Sequence, residues 1–157
     1  MRPAESFIQT ALRMVLNMDT ALQFHFKVDG DDFTSAGQAS VQLKKNLRQL
    51  GLSPEVIRRV SIAMYEGEIN MVIHAGGGEA HVNISENCVE LVLTDYGPGI
   101  SNINQAMQEG FSTAPDNIRS LGFGAGMGLP NMQRYSDSMK IESEIGKGTT
   151  ITMKINF

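Results

Sequence analysis

Glu66, Asn70 and His74 stand at i, i+4 and i+8 in a segment with helical apolar periodicity. They share one stripe roughly 12 Å long at 1.5 Å per residue. Val56, Ile57, Val60, Ile62, Met64, Ile69, Val72 and Ile73 make most of the remaining surface apolar. A polar stripe on such a helix needs partners if it is buried; a solvated face ending in a histidine is the competing reading. Asp95-Tyr96-Gly97-Pro98-Gly99 follows an apolar strand pattern. A carboxylate at a strand end can accept from an amino group, and the glycines let a ligand approach the backbone. Gly122, Gly124, Gly126 and Gly128 alternate just before a predicted helix. Accessible amides leading into a helix N-terminus suit a phosphate. Gly146-Lys147-Gly148-Thr149-Thr150 alone reads as a hairpin turn.

Two common nucleotide motifs are excluded. The P-loop needs Gly-x-x-x-x-Gly-Lys-Ser/Thr, but Gly146-Lys147 is followed by Gly148 and preceded, five positions back, by Ile141. The dinucleotide fingerprint needs a third glycine after Gly122 and Gly124, where Met127 stands.

The elements that must position these residues are legible from periodicity. Residues 5–16 predict an amphipathic helix, taken as an extension over 1–20 ahead of a domain at 21–157. Residues 21–28 alternate as a half-buried strand. A helix spans 35–50, with Gly51 at its C-terminal end. Ser53 and Pro54 open a second helix that runs to Ala75 and stops at Gly76-Gly77-Gly78. Strands follow over 80–84 and 89–95, then a long loop over 97–127 with a short helix near 102–109. A helix over 129–137 and a hairpin of 138–144 and 149–157 close the chain. Helices and antiparallel strands come in blocks, which predicts an α+β fold: a two-layer sandwich with helices on one face of a mixed, mostly antiparallel sheet.

Composition narrows the function class. The 157 residues carry 13 basic and 17 acidic side chains, net −4. That argues against a broad nucleic-acid or anionic-membrane surface. A single cysteine, Cys88, leaves no internal disulfide and points to a reducing compartment. No apolar run approaches the ~20 residues of a membrane span. Glu5, Gln9 and Arg13 interrupt the first apolar segment, unlike a signal peptide. The expectation is a soluble, cytoplasmic domain.

The order of the four motifs carries a resemblance over roughly 21–157. Glu-Asn-His helix, Asp-x-Gly-x-Gly, glycine loop and Gly-x-Gly-Thr together resemble the Bergerat-fold ATPases, which include gyrase, Hsp90 chaperones, histidine kinases and mismatch-repair proteins. The short length, the helix from Glu66 to His74 and the stretch from Gly126 to Arg134 look most like stand-alone anti-sigma-factor serine/threonine kinases, in particular switch kinases acting on STAS-domain antagonists. The resemblance implies ATP and Mg²⁺ as ligands. It implies Glu66 as the base, Asn70 as the metal ligand and Asp95 as the acceptor of the adenine amino group, supported by Thr149. Gly97 and Gly99 would let the base approach. Gly122, Gly124, Gly126 and Gly128, with Leu129, would wrap the phosphates. His74 is a ligand contact or a structural helix-end histidine, and Arg119 is the candidate lid contact to the γ-phosphate. A homodimer and a protein partner, either a STAS-domain antagonist or a sigma factor, are implied as well.

His25 and His81 lie on predicted strands, so an attached phosphoacceptor helix is not expected. Two alternatives to a Ser/Thr kinase remain. One is a nucleotide-gated binding module without phosphoryl transfer. The other is the catalytic piece of a split histidine kinase.

Overall fold

A computed structural model describes residues 22–117 and 126–157. The predicted helix over 5–16, and with it Arg119, Gly122 and Gly124, lies outside the described residues. Nine elements follow in the order β1 (Leu22–Asp29), α1 (Gln38–Gln49), α2 (Pro54–Ala75), β2 (Gly77–Ile84), β3 (Cys88–Asp95), α3 (Ile103–Ala106), α4 (Gly128–Tyr135), β4 (Ser138–Glu144) and β5 (Gly148–Asn156).

Period-two alternation builds the sheet. Its strand order is β1-β2-β3-β5-β4, and every pairing is antiparallel, so the mixed character expected from sequence resolves to an antiparallel sheet among the described residues. The registers line up two apolar rungs across all five strands. Phe24, Val82, Leu91, Met153 and Met139 form one; Phe26, Ala80, Leu93, Ile151 and Ile141 form the other. Residues one step along each strand face the opposite way. There the rung reads His25, His81, Val92, Thr152 and Lys140. One face is therefore core and the other largely polar.

The helices cover the apolar face. Leu43 and Leu47 of α1, Val60 and Met64 of α2 and Met132 of α4 are fully buried against Val82, Leu91 and Met153. Burying each such side chain is worth about 1.5–3 kcal/mol. Gly67 lets α2 settle onto the sheet, because a Cβ there would collide with the Leu93 side chain.

The central helix begins and ends where sequence predicts. The Ser53 hydroxyl accepts from Val56 N at 3.3 Å, and Pro54 occupies the first turn. Gly76 ends the helix in the left-handed conformation, φ +69°, which an L side chain adopts at a cost. Gly77 and Gly78, expected to belong to the helix stop, already pair with Asp29 and Val28 as the first residues of β2. No helix among the described residues is long and apolar enough to cross a membrane.

Candidate functional site

A cavity of about 390 Å³ lies between α2, the end of β3 and the start of α4. Glu66, Asn70, His74, Asp95, Gly99, Gly126, Gly128, Leu129 and Thr149 all line it. Residues from four separated motifs thus converge on one space. The stripe on α2 is a cavity wall, and its solvated-face alternative falls away. Ile69, Ala75, Ile100, Ala106, Met127 and Ile151 give the cavity apolar walls on which a flat heterocycle can pack.

The end of β3 supplies a fixed acceptor. Asp95 is the last residue of the strand and pairs in register with Thr149. Its Oδ1 accepts from Gly97 N at 3.0 Å and from Thr149 N at 3.2 Å. Among the described residues nothing engages Oδ2, which leaves it for a donor on a ligand. Thr149 is buried, and its hydroxyl lies 2.8 Å from Ser143 Oγ. Ser143 Oγ also accepts from Ile100 N at 2.8 Å and donates to Gly148 O at 3.2 Å. With Ser143 donating to Gly148 O, the Thr149 hydroxyl donates to Ser143 Oγ and keeps both its lone pairs as acceptors.

The glycines divide by role. A Cβ on Gly97 would stand 2.6 Å from Ala75 Cβ, so this glycine lets the loop pack on the end of α2; it does not line the cavity. Gly99 lines the cavity with φ +80°, and a Cβ there would press on Glu144 O. Gly126 is also left-handed, and its carbonyl accepts from Gly110 N at 2.9 Å. A Cβ on Gly128 would sit 3.0 Å from Asn70 Oδ1, so only glycine leaves the Asn70 amide open beside the first turn of α4.

Glu66 is half-buried, and its Oε1 accepts from Asn131 Nδ2 of α4 at 3.1 Å. That bond fixes the carboxylate one helical turn from Asn70. His74 Nδ1 lies 3.5 Å from Thr113 Oγ1. Burial of the ring lowers the His74 pKa, and the Asp95 carboxylate partly opposes this. The neutral imidazole is thus the favoured form, even though part of the side chain remains exposed.

The cavity's charge explains what it can hold. Among the described residues that line it there is no lysine or arginine. A polyphosphate there relies on backbone amides and a cation. The first turn of α4 has no side-chain cap; Pro130 has no N–H and Asn131 N bonds Met127 O, so the amides of Gly128 and Leu129 are the ones that can meet an anion. The Asn70 amide oxygen, kept clear by Gly128, is an oxygen donor of the type Mg²⁺ accepts. The residues present fit a magnesium-bound polyphosphate.

The sequence family described as "Histidine kinase-, DNA gyrase B-, and HSP90-like ATPase" matches residues 55–157, which contain every described residue of the cavity motifs. The chain belongs to this ATPase family. It is 30% identical over 139 residues to the anti-sigma F factor of Geobacillus thermodenitrificans (strain NG80-2), covering 85% of this chain and 88% of that protein. It is 33% identical over 141 residues to the anti-sigma F factor of Clostridium acetobutylicum, covering 87% and 92%. Similarity extends to the serine/threonine-protein kinase RsbT of Bacillus subtilis (strain 168), 30% over 118 residues, covering 72% and 83%. In structure, the fold matches the RsbU and RsbW domains of Rv1364c from Mycobacterium tuberculosis with a TM-score of 0.58 at 17% identity, over 85% of this chain and 32% of that one. This chain therefore spans about a third of that protein's length. It also matches a chain of the SiaB-SiaC complex from Pseudomonas aeruginosa, TM-score 0.53 at 12% identity, over 98% and 100%.

Membership of this family implies that the chain binds ATP. Asn131 and Ser143 hold the cavity residues Glu66 and Thr149 but are not marked by the four motifs. Asn131 lies three positions after Gly128, on the first turn of α4. Ser143 lies opposite Thr149 in the closing hairpin. Pairing that hairpin in register from sequence would have exposed Ser143.

Proposed function

We propose that this protein is a Mg²⁺-ATP-dependent serine/threonine kinase of the anti-sigma-factor type, acting on a STAS-domain antagonist partner in the cytoplasm. The ATP-binding unit is residues 21–157, with 1–20 as an N-terminal extension, and the assembly is a homodimer. The observation that carries the reading is the Glu66 carboxylate, lining the ATP cavity beside Asn70 and held by Asn131.

The adenine amino group donates to Asp95 Oδ2, and the apolar walls pack on the ring. Asn70 would hold magnesium, which would supply positive charge to offset that of the phosphates. The amides of Gly126 and Gly128 and the first turn of α4 orient the phosphates. A partner hydroxyl oxygen bonds to the γ-phosphorus as the bond from phosphorus to the β–γ bridging oxygen breaks. The hydroxyl proton passes to the Glu66 oxygen that Asn131 does not engage, and ADP leaves. The glycines at 122 and 124 and Arg119 extend the phosphate contacts in this reading.

One observation favours a second role for the same site. Phe111, Ser112 and Thr113 reach the cavity wall, and Thr113 meets His74. Nucleotide contacts at this segment would couple ATP to partner binding, with or without transfer.

The test is to incubate the purified chain with Mg²⁺ and γ-labelled ATP in an extract of its own cells. Acid-stable label on a second protein is the expected result. Acid-labile label would reassign the chain as part of a split histidine kinase. Absence of label, with ATP binding retained, would leave a nucleotide-gated binding module.

A further inference from the structure

The polar face of the sheet holds a cluster that the ATP site does not use. His25 of β1 and His81 of β2 are direct register partners. Their rings stack with centroids 4.5 Å apart and planes 19° from parallel. Glu79 lies two residues before His81, on the same face, and its Oε1 is 3.5 Å from His25 Nε2. One donor atom from each of the three residues falls within 4.8 Å of the others.

We propose that His25, Glu79 and His81 form a binding site for a divalent transition-metal ion, Zn²⁺ being the best match, that clips edge strand β1 to β2.

The donor set decides the class of ion. Two imidazole nitrogens and one carboxylate oxygen suit Zn²⁺ and its neighbours in the first transition row, whereas Mg²⁺ and Ca²⁺ call for oxygen donors. Zinc sites with three protein ligands of this kind keep a fourth position for water. In a tetrahedral site with bonds of about 2.0–2.1 Å, donor atoms stand roughly 3.3 Å apart. The His25–Glu79 pair is already near that spacing. The remaining closure, on the order of 1 Å, is within reach of side-chain rotation on an exposed strand face.

The backbone supplies the preorganisation. Antiparallel register fixes the two histidines opposite each other, and the pleat places Glu79 on their side. Lys27 pairs in register with Glu79, which puts an ammonium on the same face as that carboxylate. Strand β1 has a partner on one side only among the described residues. A metal bridging it to β2 would stabilise the folded state by mass action.

The experiment is a zinc titration of the full-length chain without nucleotide, after chelator treatment and in excess Mg²⁺. The variants are His25→Gln, His81→Gln, His74→Gln and Cys88→Ser. One zinc per chain is expected, raising the melting temperature of the wild type. His25→Gln and His81→Gln should each weaken zinc binding on the order of tenfold or more and lose the thermal shift. Both should bind ATP as the wild type does, which shows that they are folded. His74→Gln and Cys88→Ser should bind zinc normally. Zinc binding unchanged in the two sheet-face variants, lost instead in His74→Gln or Cys88→Ser, or absent from the wild type would each overturn the site. Failure of this titration leaves the kinase reading untouched, because none of the three ligands lines the ATP cavity.

Discussion

Two glutamates two residues apart on α2 stand in opposite surroundings. Glu66 lines the cavity and, among the described residues, has one side-chain partner, Asn131. Glu68 is about 200° further round the helix and only 2% exposed. Its Oε1 accepts from Gly37 N at 2.9 Å and Ala39 N at 3.0 Å. Its Oε2 accepts from Ser40 N at 3.0 Å and Ser40 Oγ at 2.6 Å. Gly37, the N-cap of α1, has no side chain to close the helix, so a carboxylate from a neighbouring helix does so. The contrast separates a carboxylate saturated by the scaffold from one left open in a cavity. A buried acid whose acceptor capacity is filled by backbone amides is part of the scaffold, and a half-buried acid with an open oxygen in a cavity is available for chemistry.

The largest effect that would sharpen this contrast is at Glu68. Glu68→Ala leaves three buried amides and a hydroxyl without their acceptor, and should cost about 3–5 kcal/mol in urea denaturation. Stability within error of the wild type would remove the structural half of the comparison. Next comes Asp95→Asn, which leaves the fold intact but should weaken ATP binding by about 1.5–3 kcal/mol, roughly ten- to hundredfold, in calorimetry. Unchanged affinity would mean that the adenine lies elsewhere. Asn131→Ala frees the Glu66 carboxylate. Single-turnover transfer should slow by about 1 kcal/mol, roughly fivefold, with ATP affinity preserved. A loss of ATP affinity instead would make Asn131 a nucleotide contact.

The smallest effect is at His74. Its folded-state pKa is lowered, so the unfolded chain takes up the proton first as pH falls. The folded state therefore loses stability as pH falls through the ordinary histidine range, and the penalty is complete below the folded-state value. His74→Gln should flatten the acid limb of the stability–pH profile and leave it unchanged at high pH. An identical acid limb in the variant would remove His74 from the account.

The α2 side of the comparison was half legible in sequence. Local signals carry the helix itself: Ser53 and Pro54 at its start, Gly76 at its end and apolar periodicity between them. The Glu66, Asn70 and His74 stripe follows from helical spacing alone. Glu68 looks no different from Glu66 in sequence, because the amides it serves are 28 to 31 residues away. The same limit explains Gly97. Its motif reads as a ligand-approach glycine, yet its lack of a Cβ serves Ala75, 22 positions earlier and brought close only by the fold. Ser143 is invisible until β4 is registered against β5. Strand boundaries, by contrast, fell within a few residues of expectation because period-two alternation is itself the packing signal.

The central claim is that Glu66 performs chemistry in a site whose binding does not depend on it. The most direct test is single-turnover transfer from γ-labelled ATP to the isolated partner by Glu66→Gln at saturating ATP, with ATP affinity measured on the same preparation. The account predicts transfer slowed on the order of a hundredfold or more, with ATP affinity changed by no more than about twofold. Wild-type transfer rates in a Glu66→Gln protein that binds ATP normally would contradict it.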